Sequence, residues 1–160
     1  MKGDEKVIDF LNQQLTGELT AISQYFLHAK MQENLGWSKL AAHTRAESIE
    51  EMGHAEVLTD RILFLEGLPN YQRLAGIRIG QTVKEMFESD LGVEVEAVTL
   101  LREGIEHMRS VGDVTSARLF EGILQDEEHH VDYLETQLGL IEQLGEALYL
   151  AKQVEPPTGG

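Results

Sequence analysis

From about residue 5 to residue 35, apolar side chains recur at helical spacing: Val7, Ile8, Leu11, Leu15, Leu19, Ile22 and Phe26. Gly36 ends that run, and Ser38 is placed to cap a second helix that reaches about Glu66. Gly67 and Pro69 stop it. A third helix opens at TVKE, where Thr82 and Glu85 have the spacing of a capping box. It ends near Gly112, and Asp113 caps a fourth that reaches about Leu138. A short fifth helix is expected over Leu144 to Lys152, followed by a loose tail from residue 154 to residue 160.

Connection lengths turn these elements into a topology. The first and third connections are a few residues long, so the helices on either side lie antiparallel. Residues 67–81, GLPNYQRLAGIRIGQ, are enough chain for a crossover along the bundle. The prediction is an all-α four-helix bundle with one long crossover and a short fifth C-terminal helix, as one domain over residues 1–153. An elongated coiled coil is the rival, but the Gly and Pro punctuation breaks any heptad register.

Composition narrows the function. With 13 Lys+Arg against 28 Asp+Glu, the formal net charge is −15, which argues against nucleic-acid binding. An acidic surface keeps a chain in solution and also concentrates cations. There are no cysteines, so disulfides, zinc–thiolate sites and a cysteine nucleophile are excluded. The start, MKGDEKVIDF, has no apolar signal core, and no segment is long enough to span a membrane. A cytoplasmic protein is expected.

The chemistry lies in a repeat. Glu51 and His54 form a Glu-x-x-His, as do Glu127 and His130. One such pair on one helix face is more often a surface hydrogen bond than a metal site. Both members of the two pairs, however, are 76 residues apart (127 − 51 and 130 − 54). The same shift carries Glu18 onto Glu94, Leu15 onto Leu91, Leu19 onto Val95, Ala21 onto Ala97 and Ile22 onto Val98. Helices one and two therefore repeat as helices three and four, a duplicated hairpin with pseudo-twofold symmetry.

Glu18 and Glu94 sit in otherwise apolar stretches, LTGELTAI and LGVEVEAV, which places their carboxyls toward the core. Unpaired carboxylates there are expensive, and four together would raise one another's pKa values. Two divalent cations remove the conflict, with two neutral imidazoles completing the shells. Mixed carboxylate and imidazole ligands suit Fe(II) or Mn(II), and also Zn(II) or Co(II). Two Glu and two Glu-x-x-His is the known ligand set of the ferritin-like dinuclear carboxylate proteins, and the assignment is a match to that pattern.

Over nearly its whole length the chain resembles bacterioferritin, in an actinobacterial form. The resemblance rests on Glu18, Glu51, Met52, His54, Glu94, Glu127 and His130, with the flanking QLTGELTAISQYFLH and QDEEHHVDYLETQL. It implies 24 chains closing a hollow shell, built from twofold dimers. It implies a ferroxidase that oxidises Fe(II) with oxygen or peroxide at two iron ions per chain and stores ferric mineral in the cavity. Glu51 and Glu127 would bridge the irons, Glu18 and His54 would bind one, and Glu94 and His130 the other. Tyr25 matches the tyrosine beside the site, two turns from Glu18 on the same face.

Met52 is a separate matter. It lies about 100° around the helix from Glu51, so it does not share the metal face. The residues alone make it a packing or interface methionine. The resemblance makes it the axial ligand of a haem b shared between two chains. Thioether ligation favours Fe(II) and raises the reduction potential. The implied role is electron delivery for iron release, supplied by a ferredoxin-type donor.

Some positions depart from the family. Ala46 and Glu50 stand where some members carry a His and an Asp on the cavity side, which puts an inner iron site in doubt. Tyr133 stands where some have Trp, and Gly53 beside Met52 would leave room for haem or a partner chain. Glu47, one turn before Glu51, either guides iron inward or is an ordinary solvated carboxylate. His28, His43, His107 and His129 read as exposed or hydrogen-bonded histidines. The competing function is a dinuclear redox enzyme that stores nothing, such as a rubrerythrin-like peroxidase, although the cysteine-ligated iron of that class has no counterpart here. A non-enzymatic haem carrier or structural assembly is the third reading.

Overall fold

The computed structural model describes residues 1–155; the predicted loose tail falls mostly outside them. Five helices follow in order: α1 Glu5–Asn34, α2 Ser38–Phe64, α3 Val83–Ser110, α4 Val114–Leu144 and α5 Glu146–Ala151. The first four form the expected bundle. α1 packs on α2 and α3, α4 packs on α3 and on α2, and α5 closes against α4.

Most ends follow the sequence signals. Asp4 accepts from the Val7 N–H at 3.0 Å, and Asp113 accepts from the Ser116 N–H. Thr82 and Glu85 make the full capping box. Two ends differ. Ser38 is already helical, and Trp37 at the cap position makes no side-chain bond. Its place is taken by a distant segment: the Lys39 N–H donates to the Gln153 carbonyl at 2.9 Å. At the far end of α2 it is Glu66, not Gly67, that adopts positive φ, at 63°. Gly67 is needed for packing instead, since a Cβ there would lie 2.8 Å from Ile8 Cγ2. α5 is shorter than predicted because Gly145, at φ 80°, breaks the chain just before it.

The connection between α2 and α3 runs the length of α1 and is pinned to it. The Gly3 N–H donates to Leu65 O, Asn12 bonds Leu68 O and the Asn70 N–H, and Arg73 Nε donates to Thr16 Oγ1. Further along, the Arg78 N–H donates to Gln24 Oε1 and the Gly80 N–H to His28 Nε2. Residues 3 to 28 of a helix span about 37 Å at 1.5 Å per residue. Fifteen residues of extended chain cover at most about 50 Å. One extended pass therefore suffices, and side chains of α1 supply the hydrogen bonds that a single strand cannot make with itself.

Inside the bundle the core is divided. One apolar cluster includes Leu11, Leu15, Leu58, Ile62, Leu101 and Phe120. A second includes Leu40, Val83, Phe87, Leu134 and Tyr149. Between them along all four helices lies a buried polar layer holding Glu18, Glu51, Glu94 and Glu127.

The crossover ends in a close approach. A Cβ on Gly80 would lie 2.2 Å from the Met86 backbone nitrogen, and backbone cannot yield as a side chain can. Gly80→Ala is expected to lower stability by about 1–3 kcal/mol, while Gly76→Ala, with open space around it, leaves it unchanged. Denaturant unfolding of both variants checks this, and equal midpoints would refute the close packing.

Candidate metal centre

The 76-residue shift is visible in space. Glu18, Glu51, His54 and Glu127 bring one donor atom each within 4.8 Å of one another, and Glu51, Glu94, Glu127 and His130 do the same. Glu51 and Glu127 belong to both groups. The six residues come from four different helices and are all buried. The placement follows from helical geometry: each Glu-x-x-His sets its carboxylate and imidazole one turn apart on an inward face.

The donor atoms converge and mostly fail to satisfy one another; His130 Nδ1 and Glu94 Oε1 do bond, at 3.3 Å. His54 Nδ1 lies 3.0 Å from Glu127 Oε1, 3.4 Å from Glu18 Oε1 and 3.6 Å from Glu51 Oε1, yet none of these has hydrogen-bond geometry. His130 Nδ1 lies 3.3 Å from both Glu51 Oε1 and Glu94 Oε1 and 3.4 Å from Glu127 Oε2. Glu18 Oε2, Glu51 Oε1, Glu94 Oε2 and both oxygens of Glu127 are buried with no partner. Buried polar atoms are normally bonded. This many orphans aimed at shared points fits a pair of divalent cations.

The outer nitrogens show which inner ones face the shared centre. His54 Nε2 is 2.8 Å from Asp126 Oδ2, and His130 Nε2 is 2.9 Å from Glu50 Oε2. With Nε2–H donated outward, Nδ1 of each ring points inward, that of His54 with no partner and that of His130 against Glu94. The sequence patterns do not single out Asp126, and they mark Glu50 only as a departure at the cavity-side position. The same 76-residue shift (126 − 50) pairs them, so the signal was there. The bonds cross, each carboxylate reaching the histidine of the other hairpin. Glu50, His54 and Asp126 form a third close group of donors.

Electrostatics without metal follow from this crowding. Burial, then the charge of Glu18, pushes the Glu51 carboxyl well above its usual range. Burial alone would lower His54, but the carboxylates of Glu127 and Glu18 outweigh it and push it up to about 11. His130 likewise overcomes its burial through Glu127 and is pushed up to about 10. Glu127 is raised by burial, but His130 and His54 beside it pull it down to about 2. The two imidazoliums act as substitute cations for the carboxylates.

The other named residues are placed as follows. Tyr25 is fully buried and donates to Glu94 Oε1, and burial followed by the Asp90 charge holds its hydroxyl protonated. Glu47 is only 6 % exposed and bonded to His43 at 2.8 Å, so it is not a solvated carboxylate. His43 stacks on Tyr133 at 3.9 Å. His28 is buried, accepts from Gly80 and faces Asp90 at 2.9 Å; His107 faces Asp4, and His129 is exposed. Met52 is 54 % exposed, as its offset from the metal face requires, and Ile49 one turn earlier is 57 % exposed. Gly53 has open space over it.

A cleft of about 210 Å³ opens beside the centre between α1, α3 and the crossover. Its base is Gln14, Glu18, Glu51, Glu94 and Glu127, and Gly76, Arg78 and Glu96 stand exposed at its rim.

A four-helix bundle with one crossover, holding two Glu and two Glu-x-x-His between apolar cores, is a ferritin-like dinuclear carboxylate protein. Comparison with known proteins agrees: the ferritin-like domain model matches residues 8–144. The chain is 67 % identical over 163 residues to a bacterioferritin of Streptomyces coelicolor, covering 100 % of this chain and 98 % of that one. It is 60 % identical over 159 residues to bacterioferritin BfrA of Mycobacterium tuberculosis, covering 99 % and 100 %. A solved structure of that BfrA superposes with a TM-score of 0.97 at 59 % identity, covering 98 % of this chain and 99 % of that one. The chain belongs to the bacterioferritin family.

Metal binding must displace the protons of the substitute cations. His54 and His130, both protonated at pH 7 in the metal-free chain, each lose one, and Glu51 loses one at any pH below its raised value. Zn(II) added at pH 7 to metal-free protein in weak buffer should release about two to three protons per chain. Affinity should fall steeply as pH falls. Zn(II) uptake with no proton release would remove both imidazoles from the ligand set. In the metal-free chain the raised histidines stabilise the fold fully below their unfolded value of about 6.5. That contribution is lost as pH rises through about 10 and 11.

Proposed function

We propose that this chain is the subunit of an iron-storing ferroxidase. The observation that carries the reading is the pair of four-donor groups sharing Glu51 and Glu127. Two Fe(II) ions are the substrate. Glu18 and His54 hold one, Glu94 and His130 the other, and Glu51 and Glu127 lie between them. Four carboxylates balance two divalent ions, so the reduced substrate binds without net charge.

Oxidation removes two electrons and leaves two uncompensated positive charges. Dioxygen taking two electrons and two protons leaves peroxide, and peroxide doing the same leaves water. The residues favour this direction because the surplus positive charge arises among carboxylate oxygens already oriented in a medium with little water. Asp126 and Glu50 hold the two imidazole rings by their outer nitrogens and keep Nδ1 pointed inward as charge changes. Tyr25 keeps its proton, donates it in a hydrogen bond to Glu94 Oε1 and so fixes that oxygen. The apolar clusters on either side confine reactive oxygen species to the polar layer.

Family membership supports assembly as a homo-oligomeric shell, which we take to be 24 chains around a mineral cavity. Met52 offers a thioether at the surface, beside an exposed Ile49 and an open Gly53. Met52 would hold a haem b together with Met52 of a second chain, through its thioether sulfur. Bound haem would supply one-electron transfer for release of stored iron, with a ferredoxin-type protein as donor.

The test is an Fe(II) titration of metal-free protein in air, followed by absorbance. Oxidation should continue far beyond about two irons per chain with the product soluble on the protein. A stop at that ratio would make the chain a dinuclear enzyme that stores nothing. Glu51→Ala or His130→Ala should slow the initial oxidation by at least about tenfold, as loss of a metal ligand or its orientation does; wild-type rates would exclude these ligands. Met52→Leu should abolish haem binding and leave assembly size unchanged, read by the haem absorption band and size-exclusion elution. Full haem content in that variant would refute the axial role.

A further inference from the structure

The cleft to the centre has a charged rim whose purpose the ligand set does not explain. Arg78 Nη2 lies 2.6 Å from both oxygens of Glu96. The guanidinium is seated against α3 by a missing side chain: a Cβ on Gly92 would lie 2.8 Å from Nη1. This pair is not what holds the crossover. The backbone N–H groups of Arg78 and Gly80 do that, through Gln24 and His28. Below the rim, Gln14 lines the cleft and is 1 % exposed; its amide donates to Glu18, and its buried Oε1 has no partner. Gly17 and Gly76, also lining the cleft, have nothing within 4 Å of a would-be Cβ.

We propose that Arg78 and Glu96 form a cation-exchange gate, at which an arriving divalent ion takes the place of the guanidinium on the Glu96 carboxylate before moving down to Gln14, Glu18 and Glu94. The proposal rests on the ferroxidase reading and adds how that centre selects and admits its substrate. Ion pairs between groups as exposed as these, 46 % and 67 %, are weak and open readily. A divalent ion competes for the same two oxygens with twice the charge. A neutral oxidant does not compete for them and passes without opening the pair. The open glycines leave room for a partly hydrated ion, and the free Gln14 oxygen replaces one of its waters at the last step before the carboxylates. Arg78 and Glu96 are positioning residues: neither reaches the centre.

The experiment is stopped-flow capture of Co(II) by the metal-free assembled protein, read from the visible absorption of the bound ion, in wild type, Arg78→Gln and Glu96→Gln. Both substitutions keep the backbone anchors of the crossover. Arg78→Gln frees Glu96 and should raise the second-order capture rate roughly three- to tenfold at low ionic strength. The gain should shrink as salt shortens the screening length. Glu96→Gln leaves an unpaired cation at the rim and should lower the rate by a similar factor. Final Co(II) content should be equal in all three. Acceleration in both variants would make the pair a mere steric plug and overturn the exchange. Equal rates in all three, with full uptake, would overturn the gate alone. Failure of the wild type to take up about two Co(II) per chain would overturn the dinuclear reading and the gate with it.

Discussion

Glu18, Glu51, Glu94 and Glu127 bring four carboxylates into a space that water scarcely reaches. Two like charges about 4 Å apart repel by on the order of 4 kcal/mol at an effective dielectric of about 20. Several such pairs exceed what a fold of this size tolerates, since whole domains are stable by only about 5–15 kcal/mol. The metal-free chain meets the repulsion with protons, on His54, His130 and Glu51. The loaded chain meets it with substrate. Binding of Fe(II) and relief of strain in the interior are thus the same event.

The rest of the interior serves that layer. Apolar clusters on both sides keep the dielectric low, which strengthens every attraction to an incoming cation. Asp126 and Glu50 tether the imidazoles from outside, and they do so across the hairpin boundary. Neither hairpin can build the centre alone, because each cation position draws on both. Cooperative folding of the two halves follows from this sharing as much as from the apolar contacts.

Much of this was legible in the chain because the ligands obey a period. A single Glu-x-x-His is weak, but a 76-residue offset that also aligns Glu18 with Glu94 leaves little room for coincidence. The same offset pairs Glu50 with Asp126, but acids in polar stretches carry no sign in the sequence that they face the histidines. Helix ends were readable where the capping group is local, as at Asp4, Thr82 and Asp113. They were not where the partner is remote: nothing near Ser38 announces that Gln153 will satisfy Lys39. The length of the crossover was readable, but its rungs on Asn12, Thr16, Gln24 and His28 were not, since polar residues on α1 carry no label for what they bind. Met52 shows a third case. Its offset from the metal face is a matter of helix geometry, while the haem role proposed for it rests on resemblance alone.

The crossover differs from the other walls of the cleft in how it is held. Helices α1 and α3 are backed by continuous ladders of backbone bonds, whereas residues 74–77 lie between the last rung at Arg73 and the next at Arg78. A segment tied only at its two ends opens at lower free energy than the helices it lies between. Fluctuation is therefore concentrated on one side of the centre, the side that faces the cleft. Ligand geometry stays rigid on four helices while the path to it breathes, so the chain separates the precision of its chemistry from the freedom of its traffic.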